Sequence, residues 1–254
     1  MLKAILWDVD GTLAETERDG HLVAFNRAFE ALDVPWRWSE SRYGELLAVA
    51  GGRERLLHDM HSQALAPADP AQREALVERI HRLKNELYGA IVTAGAVPLR
   101  AGVPELFDDC AAAGVRMGIA TTTSAENVAA LLGAQLGSTW RSRFDTVLCA
   151  EQAPKKKPDP QVYLRALQAL RLPPEEVLAI EDSPAGVAAA RAAHIAVIVV
   201  RSFYFANADV SGALAVGASL GSAQGWRAPS VPRPGARIDL GQLNQWQLTA
   251  HGQR

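Results

Sequence analysis

Four short apolar runs punctuate the chain, at Ala4–Trp7, Val115–Ala120, Val177–Ile180 and Ile195–Val200, and a weaker fifth covers Thr146–Ala150. Runs of this length without polar alternation suit strands covered on both faces, so they predict a parallel sheet buried between helices. Helix-length segments such as Val103–Ala113, Gln161–Leu170 and Gly186–Ala193 fall between them. That alternation belongs to right-handed βαβ crossovers, and the expected fold class is α/β with a Rossmann-like parallel sheet. One interval breaks the rhythm. About 100 residues separate Gly11 from Val115, where a simple crossover needs a dozen or more. The stretches HLVAFNRAFEAL, SRYGELLAVAGG, RERLLHDMHSQAL and AQREALVERIHRLKNELYGAIV in that interval carry apolar residues at helical spacing. They predict a helical cap at residues 16–94, inserted after the first strand of a discontinuous core at 1–15 and 95–254. From about residue 212 a loosely structured tail is expected, because GSAQGWRAPSVPRPGAR is rich in Gly, Pro and Ser. A helical turn or two at DLGQLNQW closes it, with Asp239 as cap and Leu240, Leu243 and Trp246 on one stripe.

The polar residues that follow each run carry the chemistry. In a doubly wound sheet, ligands bind beyond the carboxyl ends of the strands. The first run ends in Asp8 and Asp10, which project into one space from an extended chain while Val9 turns to the core. Two close carboxylates need a counter-charge or a shared proton. Later ends supply TTTS at Thr121–Ser124, KKKPDP around Lys157 and ED at Glu181–Asp182. Taken singly, these read as a turn acid, a helix N-cap, a solvated charge run and another cap. Together, acids, hydroxyls and a cation predict magnesium held by carboxylate oxygens, Thr and Lys donors for phosphate oxygens, and a carboxylate free to attack phosphorus. In the cap, Arg53 and Arg55 stand beside Gly51 and Gly52, and His81, Arg82 and Lys84 cluster in HRLK. A core that grips one phosphate has little use for these cations unless the substrate has a second anionic end, so a bisphosphate is inferred.

Charge and cysteine content exclude other classes. Lys and Arg number 26 against 28 Asp and Glu, a net charge of -2 that offers no general basic field to nucleic acid or an acidic membrane. Cys110 and Cys149 lack metal-type spacing and are too few for a disulfide framework, which fits a reducing cytoplasm. No apolar run approaches the roughly 18 residues of a membrane span, and the first strand starts by residue 4, too early for a signal peptide. A cytoplasmic monomer acting on a small phosphosugar is expected.

The order DVDGT, Thr121, Lys157-Pro158 and Glu181-Asp182 resembles the four motifs of the haloacid dehalogenase superfamily. The resemblance implies that Asp8 is a nucleophile forming an aspartyl-phosphate and Asp10 the general acid, then base. It implies that Thr121 bonds the transferring phosphoryl group and Lys157 neutralises its charge. Mg2+ is then held by the Asp8 side chain, the Asp10 carbonyl, Asp182, and Glu181 directly or through water. LAETE, AFNRAF, PWRWS, AGGRERL, IHRLK, IATTTSAEN and KKPDPQVY resemble the CbbY-type proteins of that superfamily over roughly residues 1–210. This family dephosphorylates xylulose-1,5-bisphosphate to xylulose 5-phosphate beside the Calvin cycle. Carried over by motif, Glu17, His21, Tyr43, Gly51, Gly52, Arg53, Glu54, Arg55, His81, Arg82 and Lys84, with Thr122, Thr123 and Ser124, become substrate contacts. Three departures stand out. ETERDGHL is one residue longer than the family pattern, so Glu17 and His21 stand four apart with helix-weakening Gly20 between them. AGGRER has arginine where relatives often have lysine, and Trp7 replaces a commoner Phe. The alternatives are a β-phosphoglucomutase-type mutase, a phosphoglycolate phosphatase, and a non-enzymatic nucleotide- or phosphosugar-binding module.

Overall fold

A computed structural model describes residues 1–63, 66–230 and 235–252. Strands β1 (Ala4–Trp7), β2 (Arg116–Ala120), β3 (Thr146–Leu148), β4 (Val177–Glu181), β5 (Ala196–Val200) and β6 (Ala215–Gly217) form one parallel sheet in the order β3-β2-β1-β4-β5-β6. The five expected runs are all strands, and β6 is an addition, too short and too close to glycine to stand out in the sequence. The order reverses at β1, which pairs with β2 on one side and β4 on the other. A crevice therefore opens at the carboxyl tips of β1 and β4.

Both faces of the sheet are buried, as the unalternated runs require. Ile5, Trp7, Met117, Ile119, Leu178 and Ile180 face one apolar layer with Val103, Leu106 and Phe107 of α5 (Val103–Ala113) and Val128, Leu131 and Leu132 of α6 (Ala125–Leu136). Ala4, Leu6, Val177 and Ala179 face the other, against α7 (Gln161–Leu170) and α8 (Pro184–Ala192). Trp7 meets Phe107 edge-on at 5.0 Å, so the larger ring is absorbed in the core.

Between β1 and the core helix α5, the regular elements among the described residues are all helical: a π-helical turn at Glu17–Leu22, then α1 (Val23–Ala31), α2 (Glu40–Leu46), α3 (Gly52–Met60) and α4 (Pro70–Thr93). Residues 64 and 65 of the expected RERLLHDMHSQAL helix lie outside the described residues. The ETERDGHL segment forms this π turn and runs directly into α1, a single-turn bulge of the kind often found at functional sites. Gly20 does not break the turn. Packing outweighs its poor propensity, because a Cβ there would stand 2.8 Å from the Tyr88 ring.

These helices share their own apolar cluster, built on Phe25, Phe29, Trp38, Tyr43, Val77 and Ile80. At its rim the buried Asp59 accepts from the Trp38 indole at 2.7 Å, from Arg42 at 2.6 and 3.0 Å and from Gln63 at 2.8 Å. Burial alone would raise its pKa, but these donors hold it below the usual carboxylate range. Asp59→Ala leaves a buried indole N–H and a guanidinium without their acceptor, and is expected to cost about 2–4 kcal/mol. Urea unfolding at pH 7 checks this through a lowered midpoint at unchanged slope.

The segment after 212 is more ordered than its composition suggested. Besides β6 it holds α9 (Leu240–Gly252), longer than the expected turn or two and capped by Asp239, which accepts from the Gln242 N–H at 2.8 Å. Ile238, Leu243 and Trp246 are fully buried, and Trp226 packs on Trp246 at 5.3 Å. Asn244 accepts from the Leu2 N–H, and Gln247 donates to the Glu175 carbonyl, so α9 fastens the amino edge of the sheet. Residues 231–234 of the expected loop lie outside the described residues.

Candidate active site

At the tip of β1, Asp8 points into the crevice, and its Oδ1 lies 2.7 Å from Lys157 Nζ. The same ammonium donates to the Ala120 carbonyl at 2.8 Å and sits 2.7 Å from Glu181 Oε1, so it joins the ends of β1, β2 and β4. Tyr163 on α7 donates to Glu181 Oε1 at 2.5 Å, while Glu181 Oε2 has no partner among the described residues. Asp182 accepts from the Ser202 hydroxyl at 2.6 Å. Glu181 and Asp182 do not cap α8; Ser183 does, accepting from the Gly186 N–H at 3.1 Å.

Asp8, Glu181 and Asp182 each offer a carboxylate oxygen within 4.8 Å of the others, all buried. Gly11 permits this approach: with φ at +83°, it leaves the space where a Cβ would stand 2.1 Å from Asp182 Oδ2. One lysine among three acids leaves excess negative charge. Burial pushes Asp8 up to about 7, with Lys157 opposing and Glu181 and Asp10 reinforcing the rise. Asp182 is likewise raised by burial and by Asp8 and Glu181. A hard divalent cation fits such a set, which supplies only oxygen donors and one unpartnered oxygen.

Asp10 has a different environment. Its Oδ1 accepts from the Thr16 hydroxyl at 2.6 Å and lies 3.3 Å from His21 Nε2. Although burial opposes it, the charge and hydrogen bond of His21 and the Thr16 bond hold Asp10 down to about 2. His21 is itself stacked on Tyr88 at 4.2 Å. The two acids of the opening pair are thus driven apart, one toward the proton and one toward the charge.

Two lobes make up the cleft. The catalytic lobe, about 270 Å³, is lined by Asp8, Asp10, Glu17, Gly51, Arg55, Thr122, Lys157 and Asp182. The distal lobe, about 290 Å³, shares Asp10, Glu17, Gly51, Arg55 and Thr122 and adds His21, Gly52, Arg53, Glu54, His81, Lys84, Thr123 and Ser124. Thr121, buried at the tip of β2, accepts from the Thr123 N–H at 3.3 Å. Ser124 is also the cap of α6.

Two expected contacts stand elsewhere. Arg82 is exposed on α4 and lines neither lobe, since it falls on the wet side of the helix that presents His81 and Lys84. Tyr43 is fully buried behind the wall; it donates to Glu17 at 2.5 Å and accepts from Arg55 at 2.9 Å. Arg55 is largely committed to this group, with Nη2 3.2 Å from Glu17 Oε1 and Nε donating to the Val49 carbonyl. Arg53 is committed outward, to Glu74 and Glu78. Lys84 is buried without an acid partner among the described residues; it lies 5.2 Å from the Phe25 and Tyr88 rings, and burial pushes it down to about 8. Residue patterns miss Thr16 and Asn127, which bond to nearby Asp10 and Thr123, and Lys156, Tyr163 and Ser202, whose partners come from distant segments.

Residues 2–194 match the haloacid dehalogenase-like hydrolase family. Among curated proteins, the CbbY protein of Rhodobacter capsulatus is 43% identical over 84% of this chain and 91% of its own. The plasmid CbbY protein of Cupriavidus necator is 40% identical over 96% of both chains. A crystal structure of a CbbY mutant from Rhodobacter sphaeroides in complex with xylulose-1,5-bisphosphate superposes with a TM-score of 0.81 at 39% identity, covering 88% of this chain and 97% of that one.

Proposed function

The chain belongs to the haloacid dehalogenase-like hydrolases, and on that premise we propose that it is a magnesium-dependent phosphatase converting xylulose-1,5-bisphosphate to xylulose 5-phosphate. The two-lobed cleft carries this reading. One lobe holds the acids and Lys157, and the adjoining one holds Lys84, His81 and the Thr122–Ser124 hydroxyls, donors suited to a second anionic end. An anion entering the distal lobe restores the charge that burial discourages on Lys84. The xylulose-1,5-bisphosphate complex of the R. sphaeroides protein supports the same choice.

In this reading an Asp8 oxygen attacks phosphorus in line, the phosphorus–oxygen bond to the sugar breaks, and the leaving alcohol takes a proton from Asp10. Water then attacks the aspartyl-phosphate, gives its proton to Asp10, and frees phosphate and Asp8. To act first as acid, Asp10 must gain a proton and release the Thr16 or His21 contact that favours its ionised form. Lys157 orients Asp8 and offsets the phosphoryl charge, and Thr121 donates to a phosphoryl oxygen. Asp8, Asp182, the Asp10 carbonyl and Glu181 would hold Mg2+, which when bound supplies positive charge against the carboxylates and phosphate.

The test is product analysis with xylulose-1,5-bisphosphate, with Mg2+ or with EDTA. Equal amounts of phosphate and xylulose 5-phosphate are expected, lost in EDTA and restored by Mg2+. A rearranged sugar phosphate without free phosphate would instead make the enzyme a mutase. Faster turnover of phosphoglycolate would remove the role given to the distal lobe.

A further inference from the structure

Lys156, next to the buried Lys157, reaches the opposite way. Its Nζ lies 2.5 Å from Glu54 Oε1 and 3.4 Å from the Ala50 carbonyl, joining the β3–α7 loop to the loop and first turn at the start of α3. Among the described residues, this and His21–Asp10 are the ion pairs that link residues 16–94 to the rest of the chain. The entry into α3 is shaped around that ammonium. Gly51 has φ at +100°, and a Cβ there would stand 2.1 Å from Lys156 Nζ and 2.2 Å from Glu54 Oε2. The pair forms part of the distal wall, and each side chain is only partly exposed, 24% for Lys156 and 46% for Glu54.

We propose that Lys156 is a positioning residue whose ion pair with Glu54 seats residues 50–55, the start of α3 and the loop before it, on the core and completes the distal lobe. Glu54 then serves the protein's closure rather than the sugar. Loop position matters because the Gly51 carbonyl accepts from the Arg55 N–H and the Val49 carbonyl from the Arg55 side chain, which in turn steadies Glu17. Since Lys156 and Lys157 are consecutive, one short loop seats both the cap and the cation at the nucleophile. The inference rests on the phosphosugar reading of the cleft only for its kinetic consequence.

The experiment reverses the charges singly and together, as Lys156→Glu, Glu54→Lys and the double variant, with Lys156→Arg as the conservative control. Amide hydrogen exchange of residues 46–56, which needs no substrate, is measured beside kcat/KM for xylulose-1,5-bisphosphate at low and high salt. Each single reversal is expected to speed exchange and lower kcat/KM about tenfold, mainly through KM, with a smaller loss at high salt. The double variant recovers to within about threefold, and Lys156→Arg stays within the same margin. A double variant no better than the worse single, or single reversals that leave exchange unchanged, would overturn the latch. Exchange that follows the charge pattern without turnover of this bisphosphate would uphold the latch and remove the substrate assignment.

Discussion

Asp8→Asn is expected to lower phosphate release by at least about 10⁴-fold, as for other enzymes deprived of their nucleophile. The amide matches the carboxylate in size, and Lys157 keeps its Ala120 carbonyl and Glu181 partners, so the loss falls on chemistry rather than on folding. Stability should move the other way in metal-free protein. Burial resists the charge of Asp8 in the fold and pushes it up to about 7, above its ordinary range. Between that range and about pH 7 the unfolded chain has lost a proton that the folded chain retains, so wild-type stability falls as pH rises through this window. Asn cannot titrate, and the variant's advantage should therefore grow from pH 5 to pH 8. Urea midpoints in EDTA, beside single-turnover phosphate release, check both halves. Turnover within tenfold of wild type would refute covalent catalysis by Asp8.

Lys157→Met should damage both properties. It removes the cation that Asp8 and Glu181 share at 2.7 Å and leaves three buried carboxylates in mutual reach. Breaking a buried ion pair by deleting one partner costs about 3–5 kcal/mol, and losing a charge aimed at the phosphoryl group lowers turnover about 10²–10³-fold. Methionine fills most of the volume beside Tyr163, whose ring lies 5.2 Å from the lysine ammonium. The loss of stability should thus be electrostatic. It should shrink at pH 5.5, where the acids take up protons, and on adding Mg2+, which replaces the missing charge. Equal destabilisation at pH 5.5 and pH 8 would assign the lysine to packing instead.

Much of the site was legible because the sheet does the assembling. Asp8, Thr121, Lys157, Glu181 and Asp182 each follow an apolar run or its loop, and parallel strands carry every such end to one edge. The same logic missed β6, whose three residues make too short a run, and gave α9 only a turn or two, because it follows a Pro-rich stretch that reads as loop although its Trp246 is buried. It also missed the residues that steady the acids. Tyr163 and Ser202 reach Glu181 and Asp182 from α7 and from the loop after β5, across 18 and 20 residues. No local pattern encodes such a meeting.

The order of runs and polar tips along the chain determined the fold class, the converging acids and the cations of the cap. The fold alone decided how those cations are used. Arg53 and Arg55 satisfy glutamates, Arg82 faces water, and Lys84, with no acid beside it among the described residues, lines the cleft. Residue type fixes charge, but whether a charge is spent or available depends on what lies within about 4 Å, and that distance is set by packing between segments far apart in sequence.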